Sequence, residues 1–505
     1  MGQKAIRGAA YGTQQPSSDN QFEKRKRGKR IKRRWVIALS ALLVLWLVCV
    51  IVYQTHKPLP PGISHESPLH MVNDVRFLYD LTYPDPSGRV VSEQQIKDRI
   101  HEIVDESQRF LVIDLFLFNN YIHKGQDFPK VSDALTDHLI RHKKAFPAMD
   151  IVLITDPVNT EYGSAPNPLL EKLKAAGIRV VVTELNPLRD PNPVYSAVWR
   201  TFIQWFGESG KGWLPNLMAN QAPKMTVRSY LKLLNVKANH RKVVVSEKSA
   251  LVLSGNVHDA SAYHSNVAFE VRGPIIGDIL ASEQGAVDIS NGGKLPTYIR
   301  EETTEKDGGK IGVRYVTEGK TYKYVMQEIE GAKQGDTLWM GMFYIEDKKV
   351  VNALLSAAAR GVDVRLLLDP NNNAFGQRKI GIPNRQVASM LAKRSKGGIS
   401  IRWYHTTQEQ FHTKMMYIQK PVGNSVIIGG AANMTPRNLD DYNLENDLWV
   451  SVPAGAPLDL RMQHYFDRLW HNRDGSFSLD LGAYRSTWYE NLIYRVQKAV
   501  RYTTY

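Results

Sequence analysis

The chain has 505 residues, of which 23% are charged and 10% aromatic, and its 65 Lys and Arg against 50 Asp and Glu give a formal net charge of +15. This composition is typical of globular proteins and excludes a wholly disordered chain, a collagen-like fibre and a multi-span transporter. The length predicts two or three domains, or one large pseudo-symmetric unit. The positive charge predicts an anionic partner, either a nucleic acid, a membrane surface or a phosphorylated substrate.

The positive charge is concentrated at the amino terminus. Residues 1–35 contain eleven Lys and Arg and two acidic residues, and the 19 residues that follow from 35 to 53 carry no charge. A helix of that length spans about 29 Å, which matches the hydrocarbon core of a bilayer. The basic flank predicts that residues 1–34 are cytoplasmic, that residues 35–53 cross the membrane once, and that the rest is extracytoplasmic. A cleaved signal peptide is the alternative, although the apolar run is longer than a usual signal core.

The cysteine content fits an exported protein. The only cysteine, Cys49, lies within the apolar run, so the remaining chain has no disulfide, no thiolate metal ligand and no cysteine nucleophile. A large exported domain without disulfides is common on bacterial surfaces. Residues 54–70 are rich in Pro, Gly and Ser and are predicted to form a linker.

After this linker, strand-like apolar runs alternate with runs of helical periodicity, which predicts an α/β fold with a parallel or mixed sheet. The first set is strand 110–118, helix 134–145, strand 151–155, helix 169–176 and strand 178–183. The second set is strand 338–344, helix 350–359, strand 362–368 and strand 399–404. Because this order occurs twice, we predict two similar lobes, over residues 71–300 and 301–505, with one site between them.

The first copy contains an insertion at about residues 190–230. Its apolar side chains are Trp199, Phe202, Trp205, Phe206, Trp213, Leu214 and Met218. Two interpretations are open: an apolar lip that meets lipid, or an aromatic helix packed on the sheet. At the other end of the chain, residues 486–503 have amphipathic helical spacing, and we expect that helix to dock on the core, with membrane contact as the alternative.

Each copy then carries a similar segment with a His-x-Lys triplet. The first segment reads NHRKVVVSEKSALVLSGN and contains His240 and Lys242; the second reads FHTKMMYIQKPVGNSVIIGGAAN and contains His412 and Lys414. Each triplet opens a predicted strand, where residues two apart share one face. The alternative, a pair of core lysines, is costly because two ammonium groups would be buried at matched positions.

A second strand in each copy ends near an asparagine, after Ser254 at Asn256 in one copy and at Asn433 in the other, and a carboxylate follows, Glu270 or Glu445. A neutral imidazole can attack phosphorus and a protonated one can release an alcohol. Ammonium and amide groups stabilise the phosphoryl oxygens, and a carboxylate behind an imidazole fixes its tautomer. The constellation predicts a phosphodiester site that needs no metal and no other cofactor.

These paired motifs resemble the phospholipase D superfamily, whose signature is H-x-K-x4-D followed by G-S-x-N, and in particular its bacterial phospholipase D and cardiolipin synthase-like branch. The resemblance covers roughly residues 71–475. It implies two α/β lobes around a shared site, in which His240 is the nucleophile that forms a phosphohistidine. It further implies that His412 protonates the leaving alcohol and then activates the acceptor, and that Glu270 and Glu445 orient the imidazoles.

The resemblance also assigns the phosphoryl-binding residues, which are Lys242, Lys414, Asn256 and Asn433, with Ser254 and Glu247 as further substrate-binding positions. Three positions depart from the family pattern. The motif Asp is Glu247 in the first copy and Gln419 in the second, and the Ser of the second G-S-x-N is Ala431. These departures put the hydrogen-bond shell of the site in question.

The resulting hypothesis is a membrane-anchored enzyme that cleaves or exchanges a phospholipid phosphodiester. The acceptor stays open, because hydrolysis by water and transfer to a glycerol hydroxyl, as in cardiolipin synthesis, share one covalent intermediate. A nuclease with the same site is one alternative. Anchoring on the extracytoplasmic side of a membrane makes nucleic acid a less favoured substrate. A catalytically silent surface-binding relative is another, which the intact His, Lys and Asn pairs oppose.

Overall fold

A single long helix, α1 (Ser18–His56), carries both the basic run and the apolar run. The computed structural model describes residues 18–208, 210–299, 308–374, 377–499 and 502–503. Over Arg25–His56 the helix is long and apolar enough to cross a membrane, and its apolar window is not buried within the protein. The first 17 residues of the predicted basic segment lie outside the described residues.

Two mixed β-sheets form the body of the protein. In chain order, the strands within the described residues are β1 (His70–Val72), β2 (Arg76–Pro84), β3 (Val90–Gln94), β4 (Phe110–Leu115), β5 (Asp150–Thr155), β6 (Arg179–Val182), β7 (Lys242–Ser246), β8 (Ala250–Leu253), β9 (Asn266–Val271), β10 (Ile311–Thr317), β11 (Thr337–Met342), β12 (Asp363–Leu368), β13 (Asn373–Ala374), β14 (Gln377–Arg378), β15 (Ile399–Tyr404), β16 (Lys414–Gln419), β17 (Asn424–Gly430), β18 (Asn446–Pro453) and β19 (Ser478–Asp480). The first sheet has the order β3-β2-β9-β8-β7-β4-β5-β6, and the second has the order β1-β10-β18-β17-β16-β11-β12-β15-β19.

The two sheets share one topology. The run β2-β9-β8-β7-β4-β5-β6 in the first sheet corresponds strand for strand to β10-β18-β17-β16-β11-β12-β15 in the second. In each sheet three strands joined by helices are parallel, and the remaining pairs are antiparallel. Helical crossovers produce parallel neighbours and short turns produce antiparallel ones, so the duplicated sequence pattern accounts for this mixed α/β fold. The predicted two-lobe α/β fold is confirmed.

Helices cover the outer faces of both sheets. In chain order, the helices after α1 within the described residues are α2 (Gln95–Glu106), α3 (Val131–Ala145), α4 (Pro168–Ala175), α5 (Pro193–Val198), α6 (Val227–Leu233), α7 (Ile275–Asp288), α8 (Gly319–Gly331), α9 (Lys348–Ala359), α10 (Asn384–Ser395), α11 (Pro436–Leu439), α12 (Pro457–Trp470) and α13 (Trp488–Ala499). One apolar cluster joins α2, α3 and α4 to the first sheet, and another joins α8, α9 and α10 to the second. The predicted C-terminal helix docks on the second lobe, where Tyr494 of α13 packs against that core.

Between the lobes lies a third apolar cluster that contains side chains from both sheets, from α7 and from α12. The ring of Phe77 lies 5.3 Å from that of Phe269 in the first lobe and 5.2 Å from that of Tyr465 in the second. At Gly429 of β17, a Cβ atom would lie only 2.6 Å from the Phe269 ring. The close approach of the two sheets therefore depends on a glycine opposite an aromatic ring.

The amino-terminal segment ties the lobes together instead of forming a free linker. Ile63 is buried, the Ser67 amide donates to the carbonyl of Tyr315 at 2.9 Å, and β1 pairs with β10 of the second sheet. The predicted linker 54–70 is wrong because polar composition does not reveal pairing with a strand some 240 residues away. The predicted lobe boundary at residue 300 lies outside the described residues.

We predict that Phe269→Ala destabilises the full chain by about 3–5 kcal/mol, because it opens a cavity at the lobe interface that the surrounding sheets cannot fill. The matched control is Val422→Ala, since the Val422 side chain lies 83% exposed in the β16–β17 turn, and we expect a change of less than about 0.5 kcal/mol there. Thermal unfolding of the detergent-solubilised chain measures both. Equal midpoints for the two variants would contradict the interface role of Phe269.

Candidate active site

The two His-x-Lys triplets meet between the lobes. Lys242 is the first residue of β7 and Lys414 is the first residue of β16. Each pairs with the last residue of an adjacent antiparallel strand, β4 or β11, and these two strands begin the parallel part of each sheet. The preceding His240 and His412 therefore lie just outside the carboxyl ends of the central parallel strands, the edge where open α/β sheets place their ligands. Both histidines line one cavity of about 410 Å³.

The two lysines have matching environments. Lys242 Nζ donates to the carbonyl of His240 at 2.6 Å, and Lys414 Nζ donates to that of His412 at 2.8 Å. Each ammonium lies over an aromatic face. Lys242 Nζ lies 5.5 Å from the ring centroid of Phe116, and Lys414 Nζ lies 5.1 Å from that of Phe343. Burial lowers the pKa of Lys242 to about 8, and burial together with the charge of Lys242 holds the pKa of Lys414 well below its usual value.

The two asparagines are fixed by one symmetric device. Asn256 Oδ1 accepts the Leu117 amide at 3.1 Å, and Asn433 Oδ1 accepts the Tyr344 amide at 3.2 Å. These contacts also explain why β4 and β11 end earlier than the sequence predicts, since the chain there bonds to a side chain instead of a neighbouring strand. With Oδ1 occupied, each Nδ2 group remains as a donor at the cavity wall.

The imidazole of His240 is oriented by the other lobe. Its Nδ1 lies 2.8 Å from Oε2 of Glu445, and the amides of Asn438 and Asn443 donate to Oε1 of that carboxylate. Burial raises the pKa of Glu445, while Lys242 and Asn438 oppose the shift. Because both asparagine amides that contact it are donors, the arrangement fits an ionised Glu445 that accepts a proton-bearing Nδ1. The Nε2 lone pair of His240 is then available for reaction.

The imidazole of His412 is oriented by Asn266 of the first lobe, whose Oδ1 lies 3.1 Å from Nδ1. Asn266 Nδ2 donates to the carbonyl of His264 at 3.0 Å, which fixes the amide so that Oδ1 faces His412. Ser254 is fully buried and donates to the same Oδ1 at 3.1 Å. Ser254 is thus a residue that positions Asn266, and its predicted role as a substrate ligand is wrong.

Glu270 does not orient an imidazole, and that prediction is wrong. Its carboxylate accepts two hydrogen bonds from the Arg99 guanidinium of α2, at 2.9 and 2.8 Å. It lies four residues beyond Asn266 on β9, about 13 Å along the strand. Glu445 directly precedes β18 in the second lobe. Its counterpart in the first lobe is Asn266, at the start of β9, and not Glu270.

The positions that replace the motif Asp lie far from the cavity. Glu247 follows β7 and accepts the backbone amides of Gln108 at 2.8 Å and Phe110 at 3.3 Å. Gln419, at the end of β16, pairs with Thr337 at the start of β11. Both lie five residues from the site lysines, about 16 Å along a strand. The predicted contact between Glu247 and substrate is therefore wrong, and Gln419 removes no group from the site.

Two aspartates support the histidine segments, a role that the sequence motifs do not predict. Asp156 accepts the amide of Asn239 at 2.8 Å, and Asp369 accepts the amide of Phe411 at 2.6 Å. Each of these amides belongs to the residue directly before a site histidine. Burial raises the pKa of both aspartates to about 7. The signal was present, because each Asp lies in an Asp-Pro dipeptide at the end of a repeated strand.

Further polar residues line the cavity that do not belong to the repeated sequence motifs and could not be predicted from them. Arg437 of α11 adds positive charge near His240, and His264 lies with its ring 5.8 Å from that of His412. Burial lowers the pKa of His264 to about 3 and raises that of Glu161 to about 8, so both are neutral at pH 7. Among the residues that the structure describes, no group of three or more His, Cys, Asp or Glu side chains is placed to hold a metal ion.

Burial and the surrounding cations also control the two site histidines. The pKa of His240 lies well below its ordinary value because of burial and the charges of Lys242, Lys414 and Arg437. The pKa of His412 is lowered by burial and by Lys414, among others. Both imidazoles are neutral at pH 7 in this cationic site, and an anion bound between them would oppose both shifts.

Comparison with known proteins gave one family match. Residues 325–470 match the model described as "Cardiolipin synthase, PLD-like domain". No curated protein matches the chain. Similar solved structures include phosphatidylserine synthase of Haemophilus influenzae Rd KW20, at 10% identity over 86% of this chain and 94% of that one, with a TM-score of 0.49.

Two other structures are similar over different shares of the chain. Polyphosphate kinase of Porphyromonas gingivalis is 10% identical over 85% of this chain and 53% of its own, with a TM-score of 0.41. The phospholipase D family member Nuc of Salmonella typhimurium is 19% identical over 35% of this chain and 99% of its own, with a TM-score of 0.26.

The family match lies in the second lobe, and the first lobe repeats its strand order and its histidine, lysine and asparagine contacts. The sequence resemblance to the phospholipase D superfamily is thereby confirmed for the second lobe, whose residues 325–470 match a phospholipase D-like domain.

Proposed function

We propose that the protein is a membrane-anchored phosphatidyl hydrolase or transferase that works through a covalent phosphohistidine. The observation that carries the proposal is the placement of His240 and His412 in one cavity, each with its Nδ1 held by a residue of the opposite lobe. Two imidazoles with free Nε2 atoms can act in turn on one phosphorus.

In the first step, the Nε2 lone pair of His240 forms a bond to phosphorus while the bond from phosphorus to the leaving alcohol oxygen breaks. His412 gives its Nε2 proton to that oxygen. The carboxylate of Glu445 stabilises the positive charge that develops on the imidazole of His240. The two lysines and the two asparagine amides stabilise the phosphoryl oxygens.

In the second step, His412 takes the proton of an acceptor hydroxyl, the acceptor oxygen bonds to phosphorus, and the bond from phosphorus to His240 breaks. Water as acceptor yields phosphatidic acid, and a glycerol hydroxyl yields a transferred phosphatidyl group. The first step requires a protonated His412, which the resting enzyme lacks. The negative charge of the bound phosphodiester supplies the opposing field that raises its pKa.

Two features support a phospholipid as the substrate. Much of the cavity wall is apolar, with Phe116, Val158, Met218, Leu233 and Leu234 among its lining residues, and such a wall suits acyl chains better than a polyanionic nucleic acid. The exposed apolar helix α1 would hold the enzyme at a bilayer, with its basic end in the cytoplasm and both lobes on the opposite side.

We predict that the full chain, reconstituted in mixed phosphatidylglycerol and phosphatidylethanolamine vesicles, converts these lipids in the presence of EDTA, because none of the proposed steps uses a metal. His240→Ala should remove all turnover and all alkali-stable, acid-labile phosphoenzyme, whereas His471→Ala, which alters an exposed histidine of the second lobe, should change neither. Chromatography of the products distinguishes phosphatidic acid from cardiolipin and thereby identifies the acceptor.

The same assay distinguishes the alternatives. Loss of turnover on adding EDTA would contradict metal-independent chemistry, and persistent labelling of His240→Ala would contradict the assignment of the nucleophile. Cleavage of DNA without conversion of lipid would favour a nuclease. No turnover of either substrate by the wild-type chain would favour a silent relative.

We predict that kcat/KM is greatest at a pH below 6.5, because the free enzyme must carry a proton on His412, whose pKa lies well below that value, and that it falls more steeply above about pH 8. Protonation of His240 abolishes its lone pair, but its pKa is depressed, so the acidic limb lies below the ordinary histidine value. Deprotonation of Lys242, with its pKa of about 8, removes a charge that binds the phosphoryl group. Lys242→Arg should move the basic limb upward, while Lys172→Arg at a solvated position should not. An acidic limb above pH 6.5 would contradict this electrostatic description.

A further inference from the structure

The insertion between β6 and β7 exposes large apolar side chains at one end of the first lobe. We call residues 193–208 and 210–233 the aromatic lip. Trp199 is buried within it and fixes it to the protein, but Trp205, Phe206, Trp213 and Leu217 are 64–75% exposed. The lip is therefore neither a wholly packed aromatic helix nor a polar loop, and exposed aromatic groups on this scale mark an interaction surface.

The lip lies directly beside the membrane-spanning helix. The Trp46 indole of α1 donates to Thr201 Oγ1 of the lip at 3.2 Å, and α5 packs along α1. Nearer the body, the amide of Asp190 donates to the carbonyl of Gln54 at 3.1 Å. The contact between α1 and the first lobe thus extends from the end of the predicted span back into the span itself.

The two contacts give the depth of the lip. Trp46 precedes Gln54 by eight residues, which corresponds to about 12 Å along a helix axis. The predicted span 35–53 places Tyr53 at the membrane surface. Trp46, and Thr201 in contact with it, then lie roughly 10 Å inside the bilayer. Interfacial segments insert their apolar face by about 5–10 Å, so Trp205 and Phe206, which follow Thr201 in the same turns, lie at a depth typical of membrane-inserted side chains.

The base of the lip is fixed relative to the catalytic residues. Asp190 forms buried ion pairs with Arg200 at 2.6 Å and with Lys237 at 2.7 Å, and Lys237 lies only three residues before His240. The lip also supplies part of the cavity wall, including Met218, Ala219, Ala222 and Leu233. One element therefore connects the membrane-facing aromatic groups to the cavity that holds the two site histidines.

We propose that the aromatic lip inserts into the membrane leaflet next to the first lobe, and that the catalytic cavity opens toward that leaflet, so that a phospholipid enters from the bilayer without crossing water. The inference rests on the proposed function in that α1 spans the membrane and the substrate is a lipid. The lip makes substrate entry a movement within one leaflet, in which only the headgroup and phosphate need to rise to the histidines.

The position of the lip can be measured without using activity. In a Cys49→Ser background, which removes the only cysteine, a nitroxide is attached at Trp205→Cys or, as the matched control, at Val422→Cys. Val422 is exposed at the end of the β16–β17 hairpin remote from the cavity. In phosphatidylglycerol and phosphatidylethanolamine vesicles, we expect oxygen to relax the label at 205 much more than a water-soluble nickel chelate does, and the reverse at 422.

The outcomes separate the lip from the proposed function. Free access of the nickel chelate to position 205 would overturn lip insertion even if the vesicles are converted. Protection of that label from both reagents would also overturn it, because it would indicate a second copy or another protein on the lip. Insertion of the label without any lipid turnover would support the insertion of the lip and contradict the proposed function.

A kinetic measurement tests whether insertion serves substrate entry. For the double substitution Trp205→Ser and Phe206→Ser, we expect kcat/KM on vesicles to fall by about tenfold or more, because apolar area is lost from the inserted surface. Turnover of a short-chain phospholipid, dissolved below its micelle concentration, should stay at the wild-type value. Equal losses on both substrates would overturn the entry role and indicate damage to the cavity.

Discussion

The hydrogen bond between His240 of the first lobe and Glu445 of the second is the contact on which the site depends, because it makes each half incomplete alone. Its counterpart runs in the opposite direction, from His412 to Asn266. Each imidazole is carried by one sheet and oriented by the other. The packing of Phe77, Phe269 and Tyr465 between the lobes, and the pairing of β1 with the second sheet, therefore have a catalytic consequence besides stability.

The same arrangement concentrates positive charge. Two nearly fully buried lysines and Arg437 surround two neutral imidazoles, and burial acts with these charges to depress the histidine and lysine pKa values. Such a cluster is costly without an anion, and the phosphodiester that we propose as substrate would supply the compensating negative charge. The apolar cavity wall and the aromatic lip add a reason for that phosphodiester to belong to a lipid, since both match the acyl region of a bilayer and neither suits a nucleic acid.

The sequence was sufficient for the duplicated α/β units and for the paired His, Lys and Asn residues, because these follow from local periodicity and from the repeat. It failed where the decisive relation was not local. Sequence order points to Glu270 as the next acidic residue, but the position at the start of the strand belongs to Asn266. Motif spacing points to Glu247, but five residues of extended chain separate it from Lys242. The role of residues 54–70 depends on pairing with the other lobe, which their composition does not encode.

The most direct test of a two-step reaction through His240 is the stereochemistry at phosphorus. A phospholipid made chiral at phosphorus with oxygen isotopes and sulfur can be converted by the full chain, and the configuration of the product can be read by phosphorus NMR. Two successive in-line displacements, first by His240 and then by the acceptor, predict retention of configuration. Inversion would mean a single displacement by the acceptor, and would contradict the covalent role of His240 and the alternating role of His412.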